Sequence, residues 1–416
     1  MQTKNNKLYL GGLPAEDLLE EHGSPLYVYE EDKLREQVRK LFQALSYPRV
    51  KLLFACKANP NIEVIKVLNS EGMGIDAVSP GEVKLALLAG VNPEEILYTG
   101  NNSSEQDFKE AMAHRVLCTI GSLSQIDKYG KLFPNTKIAV RINPDVGAGE
   151  HGHLITGGPD SKFGIYYDQV DEIKHRAARH GLKIAGIHSH IGSGILDTAT
   201  YIKAMNMVTK TAKEFEELEF VDFGGGIGVP YRPDQQEIDI KGFGEDVSTL
   251  MRVFARDYGS EIEFRFEPGK YVSSQAGFLL AAVTNIKTNP KHKFVGTDTG
   301  FNHLIRPTMY GAYHHILNTT NMEGEKEKVL VAGNICESGD LFTRDEDGPV
   351  DREIPRIKEG DVLAVCNAGA YGFAMSSQYI MRPRPAEVMV GGGKSRLIRR
   401  RETFEDLIAT QKLQKV

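Results

Sequence analysis

Eight short apolar segments recur between residues 51 and 267, each separated from the next by a stretch long enough to form a helix. Helical segments are predicted, for example, at residues 61–68, 81–89 and 201–217. Strands that alternate with helices are typically parallel, and eight such units in this length predict a (β/α)8 barrel. An open doubly wound sheet is the competing architecture. The predicted strands are residues 51–56, 74–78, 96–99, 116–120, 137–142, 184–190, 219–223 and 261–267.

The pattern changes after about residue 270, where apolar strands alternate with turns and long loops. This region predicts a separate, mostly β domain. A short apolar strand near residues 26–29 precedes the barrel pattern, and we expect it to join that β domain. The expected domains are therefore a barrel of residues 31–270 and a β-rich domain of residues 1–30 with 271–416. One helix, at about residues 403–411, is predicted at the end.

Charge and composition exclude several functional classes. The formal net charge of −6 predicts no general affinity for nucleic acid or anionic membranes. The basic run of residues 394–401 is therefore interpreted as a solvated strand. No apolar run approaches the roughly 20 residues of a membrane span, and the first residues lack an apolar signal-peptide core. The four cysteines are scattered and form no CxxC motif, which favours free thiols in a reducing cytoplasm.

A lysine follows the first predicted barrel strand. Lys57 comes directly after an apolar run, and we expect Asn59 to cap a helix that begins at Pro60. Partial burial generally lowers the pKa of a lysine amine and makes it a nucleophile toward an aldehyde or ketone. The alternative is a lysine whose stem is buried at a strand end while its amine reaches water.

Other strand ends carry polar residues too. The chemistry of a (β/α)8 barrel lies at the carboxyl ends of its strands. Asp76 lies near the end of the second strand, Arg141 lies on the fifth, and Glu267 ends the eighth, with Lys270 shortly after it. Polar or glycine-rich ends on six of the eight strands are hard to explain by core packing.

Two glycine runs follow consecutive strands, at residues 192–194 and 224–226. Backbone N–H groups of such turns bind phosphate oxygens, and barrels often place a phosphate site late in the strand order. Tight turns that require positive φ are the alternative explanation for either run alone. Two runs on adjacent strands favour a phosphate site.

His188 and His190 alternate on the sixth predicted strand, so both are expected on the same face. A His-x-His pair can bind a metal ion, but only Asp76 offers itself as a further ligand, and Lys57 would be an unfavourable neighbour. The favoured interpretation is that one imidazole stacks on a flat cofactor ring while the other fills the core. No metal is expected.

Glu267 completes the predicted site. A carboxylate near a lysine and a phosphate site can keep a pyridine nitrogen protonated, which is the electron sink that pyridoxal phosphate chemistry needs. An ion pair with Arg141 or Arg265 is the alternative role for this carboxylate.

Together these motifs resemble the fold-type III pyridoxal-phosphate-dependent decarboxylases, which share the alanine racemase-like fold, and most closely the diaminopimelate decarboxylases among them. The resemblance extends over nearly the whole chain. No single motif is specific, but the set is. The motifs are residues 56–59, 156–164, 188–194, 224–226, 267–269, 306–310, 336–340, 369–372 and 397–401.

The resemblance implies a role for individual residues. Lys57 would hold pyridoxal phosphate as a Schiff base, His190 would stack on its ring, and Glu267 would pair with its nitrogen. Cys336 would protonate the substrate carbon after carbon dioxide leaves. The remaining cofactor contacts would come from Asp76, Ser193, Gly224, Gly225, Gly226, Lys270 and Tyr371, and the substrate contacts from Lys270, Arg306, Tyr310, Glu337 and Tyr371.

The implied reaction is the decarboxylation of meso-2,6-diaminopimelate to L-lysine, the last step of lysine biosynthesis. The implied assembly is a homodimer in which the loop at Cys336 and Glu337 enters the active site of the other subunit. A fold-type III racemase is disfavoured because that class typically has arginine where this chain has Glu267. A non-catalytic pyridoxal phosphate carrier is disfavoured by the β domain, and a metal hydrolase remains a minor alternative.

Two departures from the resembled family concern the substrate. Lys270 stands where the family usually has an arginine, which clamps a carboxylate with a fork that lysine lacks. Ile380 and Met381 stand where the family commonly shows asparagine and serine. The alternative substrate is therefore another diamino acid, including a siderophore or antibiotic precursor.

Overall fold

The computed structural model describes residues 1–145, 148–149, 158–190 and 192–412. Its backbone divides into two compact units. One contains residues 35–230 and 236–272, and the other contains residues 1–34, 231–235 and 273–416. Each unit is described by itself below.

The first unit is a closed barrel of eight parallel strands. Each strand pairs with the next, and the eighth pairs with the first through Phe264 opposite Val50 and Phe266 opposite Leu52. This pairing confirms the predicted barrel and excludes the open sheet. A two-residue strand, Ile165–Tyr166, adds to the fifth strand outside the ring. The barrel strands are Val50–Ala55, Gly74–Ala77, Ile96–Tyr98, Leu117–Ile120, Lys137–Asn143, Lys183–His188, Phe220–Asp222 and Glu263–Phe266.

Helices follow every barrel strand, as the alternation predicted. Several begin at side chains that accept backbone N–H groups, including Ser79, Ser104 and Asp197. The helix Glu31–Ala44 precedes the first strand. The helices after the strands are Ile62–Ser70, Pro80–Leu88, Glu105–Ala113, Leu123–Leu132, Val170–Arg179, Thr198–Ala212, Ile240–Tyr258 and Lys270–Ser273.

The predicted start of the first of these helices is wrong. Residues Cys56–Ala58 form a short 3-10 turn, and the helix begins at Ile62 with Asn61 as its cap. The Asn61 side chain accepts the backbone N–H of Glu63 at 3.0 Å. Asn59 instead accepts the N–H of Asn61 at 3.2 Å, so it forms a local turn ahead of the cap.

The second unit is organised around a nine-stranded sheet, in which Leu26–Glu30 pairs with Gly277–Thr288 and with Ala386–Gly391. The other strands are Lys293–Thr297, Ile316–Asn318, Lys326–Ala332, Arg352–Pro355, Val362–Val365 and Lys394–Arg399. Smaller sheets comprise Gln2–Lys4 with Lys7–Leu10 and Leu13–Pro14, and Arg344–Asp345 with Gly348–Pro349. The unit's helices are Ala15–His22, Arg306–Tyr310 and Phe404–Ile408.

The large sheet is buried on both faces. Leu279 and Val283 lie in one apolar cluster, whereas Phe278 and Leu280, the two neighbours of Leu279 in the strand, lie in another. Because successive side chains of a strand point to opposite faces, these clusters cover the two sides of the sheet. This explains the near-continuous apolar sequence of the strand.

The basic run 394–401 forms the strand Lys394–Arg399 and the residues after it, as predicted. Two of its arginines form ion pairs within the unit: Arg396 pairs with Glu31 at 3.2 Å, and Arg399 pairs with Glu387. Among the described residues, no helix is both long enough and apolar enough to cross a membrane.

Leu53 tests the packing inside the barrel. It is fully buried with Leu97, Ala139 and Phe220, which come from alternate strands and so form one layer of the barrel interior. We expect Leu53→Ala to lower the free energy of unfolding by about 2–5 kcal/mol, since it leaves a cavity.

The matched control is Leu88→Ala, because Leu88 is 73% exposed. It should change stability by less than about 0.5 kcal/mol. Urea unfolding followed by circular dichroism measures both variants, and equal midpoints would contradict this account of the layer.

Candidate functional site

Lys57 lies just beyond the first barrel strand, beside a buried carboxylate. Its Nζ is 3.6 Å from Oδ2 of Asp76, and Lys57 keeps 36% of its side chain exposed. Asp76 is fully buried and lies one residue before the end of the strand Gly74–Ala77. The other oxygen of Asp76 accepts a hydrogen bond from the Thr99 hydroxyl. The amine is thus accessible and held on one side by a fixed negative group. Thr99 was not among the predicted site residues.

Glu267 follows the eighth strand and contacts His188 at the end of the sixth. Nε2 of His188 lies 3.1 Å from Oε1 and 3.2 Å from Oε2 of Glu267, and both side chains are buried. Burial, followed by the neighbouring charge of Asp76, raises the pKa of Glu267 well above its usual value. Burial lowers the pKa of His188 to about 4.

The alternative ion pairs proposed for Glu267 are not formed among the described residues. Arg265 pairs with Glu263 at 2.6 Å. The guanidinium carbon of Arg141 lies 4.4 Å from the centre of the Phe163 ring. Within the described residues, Glu267 instead contacts the imidazole of His188, and because burial keeps this imidazole neutral the contact is a hydrogen bond and not an ion pair.

Asp222 adds a further carboxyl group that the sequence analysis did not assign to the site. It ends the seventh strand, where its Cα pairs with that of His188. Its Oδ1 accepts the N–H of Gly224 at 2.9 Å, and burial raises its pKa to about 8. The ligand atoms of His188, Asp222 and Glu267 lie within 4.8 Å of one another, a grouping that could also hold a metal ion.

His190 has a different environment from His188. The sixth strand ends at His188, two residues before its predicted end, so the expected alternation on one face does not extend to His190. Nδ1 of His190 accepts the N–H of Gly192 at 3.2 Å. Burial and then the charge of Lys57 lower its pKa well below the usual value. The suggested His-x-His metal pair is not formed, since the grouping above includes neither His190 nor Asp76.

The two glycine loops are joined by backbone hydrogen bonds. The N–H of Ile195 donates to Gly226 and that of Gly228 donates to Ile195, each at 2.9 Å. Gly224 has φ +69°, and a Cβ there would lie 2.5 Å from the Ser189 carbonyl oxygen. A Cβ on Gly225 would lie equally close, at 2.5 Å, to the Glu267 carbonyl oxygen. Close approach of neighbouring strand ends therefore requires these glycines, whatever the loops bind.

The barrel residues fit a pyridoxal cofactor. Several buried polar atoms here have no hydrogen-bond partner among the described residues, including Nδ1 of His188, Oγ of Ser189 and Oδ2 of Asp222. Lys270 is also buried, at the start of the helix Lys270–Ser273. An accessible amine, a buried carboxylate, an imidazole and glycine loops, whose backbone N–H groups are not shielded by side chains of their own, are the donor set that such a cofactor requires.

Arg306 lies in the sheet unit and is fully buried. Its Nη1 donates to Nε2 of His314 at 3.1 Å, and its guanidinium carbon lies 4.6 Å from the centre of the Tyr231 ring. Nδ1 of His314 donates in turn to the carbonyl oxygen of Cys366 at 2.8 Å. This chain fixes the imidazole as the tautomer that can accept from the guanidinium. His314 was missed because its contact with Cys366 joins distant parts of the sequence.

Cys336 and Glu337 are exposed on a loop that a buried carboxylate organises. Asp340 accepts the N–H of Phe301 and that of Ile335, each at 2.7 Å. The loop therefore keeps a defined path while its thiol and carboxylate face outward. Asp340 ends the motif of residues 336–340, but no pattern in the sequence indicates which N–H groups it accepts.

Other predicted residues lie elsewhere in the sheet unit. Tyr310 ends the helix Arg306–Tyr310 and is half-buried, and Tyr371 adopts a left-handed backbone with φ +57°. Ile380 and Met381 are exposed and also left-handed, with φ +53° and +59°. Parts of two quoted motifs, residues 156–157 and 191, lie outside the described residues.

Comparisons with known proteins agree with this donor set. The family described as "Pyridoxal-dependent decarboxylase, pyridoxal binding domain" matches residues 31–274. The chain is 46% identical over 414 residues to a diaminopimelate decarboxylase of Methanothermobacter thermautotrophicus, covering 97% of this chain and 95% of the relative. The enzyme of the same name from Escherichia coli K12 is 35% identical, covering 96% of this chain and 97% of the relative.

Solved structures show the same likeness. The crystal structure of diaminopimelate decarboxylase from M. jannaschii in complex with L-lysine superposes with a TM-score of 0.90 at 32% identity, covering 99% of this chain and 98% of that chain. The crystal structure of the Helicobacter pylori diaminopimelate decarboxylase, also complexed with L-lysine, superposes with a TM-score of 0.86 at 30% identity. The match covers 95% of this chain and 98% of that chain.

Gly224 tests the close approach at the barrel mouth. We expect Gly224→Ala to lower stability by about 1–2 kcal/mol from left-handed strain, and by a further ~1–3 kcal/mol from the clash with the Ser189 carbonyl. Gly90→Ala is the matched control, because Gly90 has φ +91° and its Cβ would meet no described atom within 4 Å. Urea unfolding measures the difference, and equal losses in the two variants would show that the close approach is not a constraint.

Proposed function

The chain belongs to the diaminopimelate decarboxylases, a family of pyridoxal-dependent decarboxylases, and we propose that it converts meso-2,6-diaminopimelate to L-lysine and carbon dioxide. The observation that carries this proposal is that three groups lie at the ends of two adjacent barrel strands and the strand next to them. The accessible amine of Lys57 lies beside the buried carboxylate of Asp76, and a second buried carboxylate, Glu267, follows the strand that pairs with the first.

Pyridoxal phosphate, when bound, supplies an electron sink for the pair of electrons left by the departing carboxylate. We propose that Lys57 binds its carbonyl carbon and that Asp76 orients the Lys57 amine. Glu267 would hold the proton on the ring nitrogen. His190, whose imidazole is kept neutral by burial, would stack against the ring.

The phosphate group is proposed to lie on the two glycine loops, with Ser193 on one and residues Gly224 to Gly226 on the other. The hydrogen bonds between the loops support this role because they fix the directions of the remaining N–H groups. Tyr371 is proposed as a further phosphate or substrate contact, and Lys270 as a point charge near the cofactor or the substrate carboxylate.

Substrate selection is proposed to use opposite charges for the distal amino acid group. Arg306 would bind its carboxylate, Glu337 its ammonium group, and Tyr310 would line the same pocket. The His314 contact supports this role, because a guanidinium held by a neutral acceptor keeps its charge for a ligand. Cys336 would donate a proton to the α-carbon after carbon dioxide leaves.

We propose that the protein acts as a homodimer in which the loop bearing Cys336 and Glu337 reaches the site of a second copy. The exposure of both side chains on an ordered loop supports this arrangement. A cytoplasmic location is proposed as well, supported by four cysteines that are all free thiols. We also propose that the barrel and the β-rich part are separate domains, with boundaries near residues 30 and 270.

A second candidate substrate is another diamino acid. Lys270, Ile380 and Met381 motivate this alternative, since each replaces a residue that is usual in the family. These replacements leave Lys57, Glu267 and the glycine loops unchanged, so we propose that they affect the choice of substrate more than the binding of the cofactor.

The first experiment is release of carbon dioxide and lysine from meso-diaminopimelate with added pyridoxal phosphate. We expect turnover of diaminopimelate and little of ornithine, arginine or lysine, because only diaminopimelate presents an amino acid group at both ends. Liquid chromatography of the products measures it, with a chelator control for metal dependence. A protein that binds the cofactor but prefers another diamino acid would contradict the proposed substrate.

Variants of Lys57 and Cys336 separate cofactor binding from proton transfer. Lys57→Ala should abolish the visible absorbance of the bound cofactor, because no other amine is proposed to bind it. Cys336→Ala should keep that absorbance while kcat falls by on the order of 100-fold or more.

Ser338→Ala is the control for the loop, since Ser338 is exposed two residues away. It should leave kcat unchanged. If Cys336→Ala turns over at the rate of the unmodified enzyme, the thiol is not the proton donor.

A further inference from the structure

We propose that His188 is a positioning residue for Glu267: its Nε2–H orients the carboxylate and leaves the negative charge of that group available to the ring nitrogen of the cofactor. This inference rests on the proposed function, in which Glu267 faces a pyridine nitrogen. It assigns a separate role to the buried histidine of the His-x-His motif.

The geometry places the imidazole against both oxygens of the carboxylate. Nε2 of His188 is 3.1 Å from Oε1 and 3.2 Å from Oε2 of Glu267. Because the donor is almost equally far from the two oxygens, it restricts rotation of the carboxylate plane. The Glu267 backbone is fixed as well, because its N–H donates to the Gly224 carbonyl at 2.8 Å. Backbone and side chain together leave the group little freedom.

The direction of the proton follows from the other ring nitrogen. Nδ1 of His188 is buried and has no hydrogen-bond partner among the described residues. A buried N–H without a partner is rarer in proteins than an acceptor without one. The proton is therefore assigned to Nε2, which makes His188 the donor. Glu267 accepts in its ionised form, which a protonated pyridine ring favours although burial raises the pKa of Glu267.

The charge of His188 matters as much as its position. Burial lowers the pKa of His188 to about 4, and the charged groups around it are Asp222, Arg141, Asp76 and Lys57. A neutral imidazole can donate a hydrogen bond without neutralising the carboxylate. A charged lysine or arginine at the same place would compete with a pyridinium for the negative charge of Glu267.

The competing explanations are that His188 only fills the barrel interior, or that it binds a metal ion with Asp222 and Glu267. Filling space does not require the two short contacts to one carboxylate. A role in packing and a role in orienting Glu267 differ in one measurable respect. If His188 acts through Glu267, replacing His188 has little effect once the Glu267 carboxylate has been removed, whereas a packing effect remains.

The test is a double-mutant cycle on cofactor affinity, which does not depend on turnover. Pyridoxal phosphate is titrated into the cofactor-free protein and followed by its visible absorbance, in the unmodified protein, His188→Phe, Glu267→Gln and the double variant. His188→Phe should weaken binding by on the order of tenfold, because a hydrogen bond to a charged group is lost. In the Glu267→Gln background the same change should have much less effect.

His188→Gln should restore most of the affinity, since its amide N–H can reach the position of Nε2. His180→Gln is the matched control: His180 precedes the same strand and bonds Asp127 at 3.0 Å, and its replacement should leave affinity unchanged. If His188→Phe does not fold, His188→Asn, whose shorter side chain does not reach Glu267, takes its place in the cycle.

Additive losses in the cycle, or a His188→Phe variant with unchanged affinity, would overturn the proposal. A requirement for stoichiometric zinc to restore binding would overturn it in favour of the metal site. Failure of the substrate proposal can be distinguished from failure of this one. If the protein binds the cofactor but does not decarboxylate diaminopimelate, the substrate proposal is wrong, while the double-mutant cycle on cofactor affinity still tests the role of His188. A protein that binds no pyridoxal phosphate under any condition would overturn both.

Discussion

The hydrogen bonds between Glu263–Phe266 and Val50–Ala55 close the barrel, and the arrangement of the site depends on this closure. In an open sheet, the first and last strands of the strand order lie at opposite edges, far apart in space. In the closed ring the eighth strand adjoins the first, and all carboxyl ends surround one mouth because every strand is parallel. Lys57 and Glu267 thus follow neighbouring strands, although they are separated by most of the barrel sequence.

Closure also concentrates negative groups in a buried place, which costs free energy unless they are partnered. The structure satisfies part of this requirement with fixed donors: Thr99 for Asp76, Gly224 for Asp222 and His188 for Glu267. These donors do not fully offset the cost of burying the charges. Burial therefore still raises the pKa of Asp222, to about 8, and that of Glu267, to well above its usual value. Such carboxyl groups are poised to release protons when a cation arrives, and a protonated pyridine ring is such a cation.

The sequence predicted the barrel because each strand and helix is encoded locally, by apolar runs and by caps such as Ser79 and Ser104. It also predicted Lys57, Asp76 and Glu267 as strand-end residues that the closed ring brings to one mouth. It could not predict the contact of His188 with Glu267, which joins residues 79 positions apart.

Local errors have local causes. Two asparagines, Asn59 and Asn61, flank Pro60, and either could cap a helix. The structure uses Asn61 because the 3-10 turn Cys56–Ala58 occupies the preceding residues. His190 was expected to continue the alternation of its strand, but the strand ends at His188. Alternation is a reliable guide only while backbone pairing continues.

The departures from the family differ in their physical setting. Lys270 is buried, so its replacement of an arginine exchanges a planar fork for a single ammonium inside the barrel unit. Ile380 and Met381 are 43% and 48% exposed, and both have positive φ. A positive φ suits asparagine better than the β-branched side chain of Ile380. The local backbone conformation is therefore not stabilised by these two side chains. We infer that Lys270 changes how charge is presented within the barrel, whereas Ile380 and Met381 change an outward-facing turn.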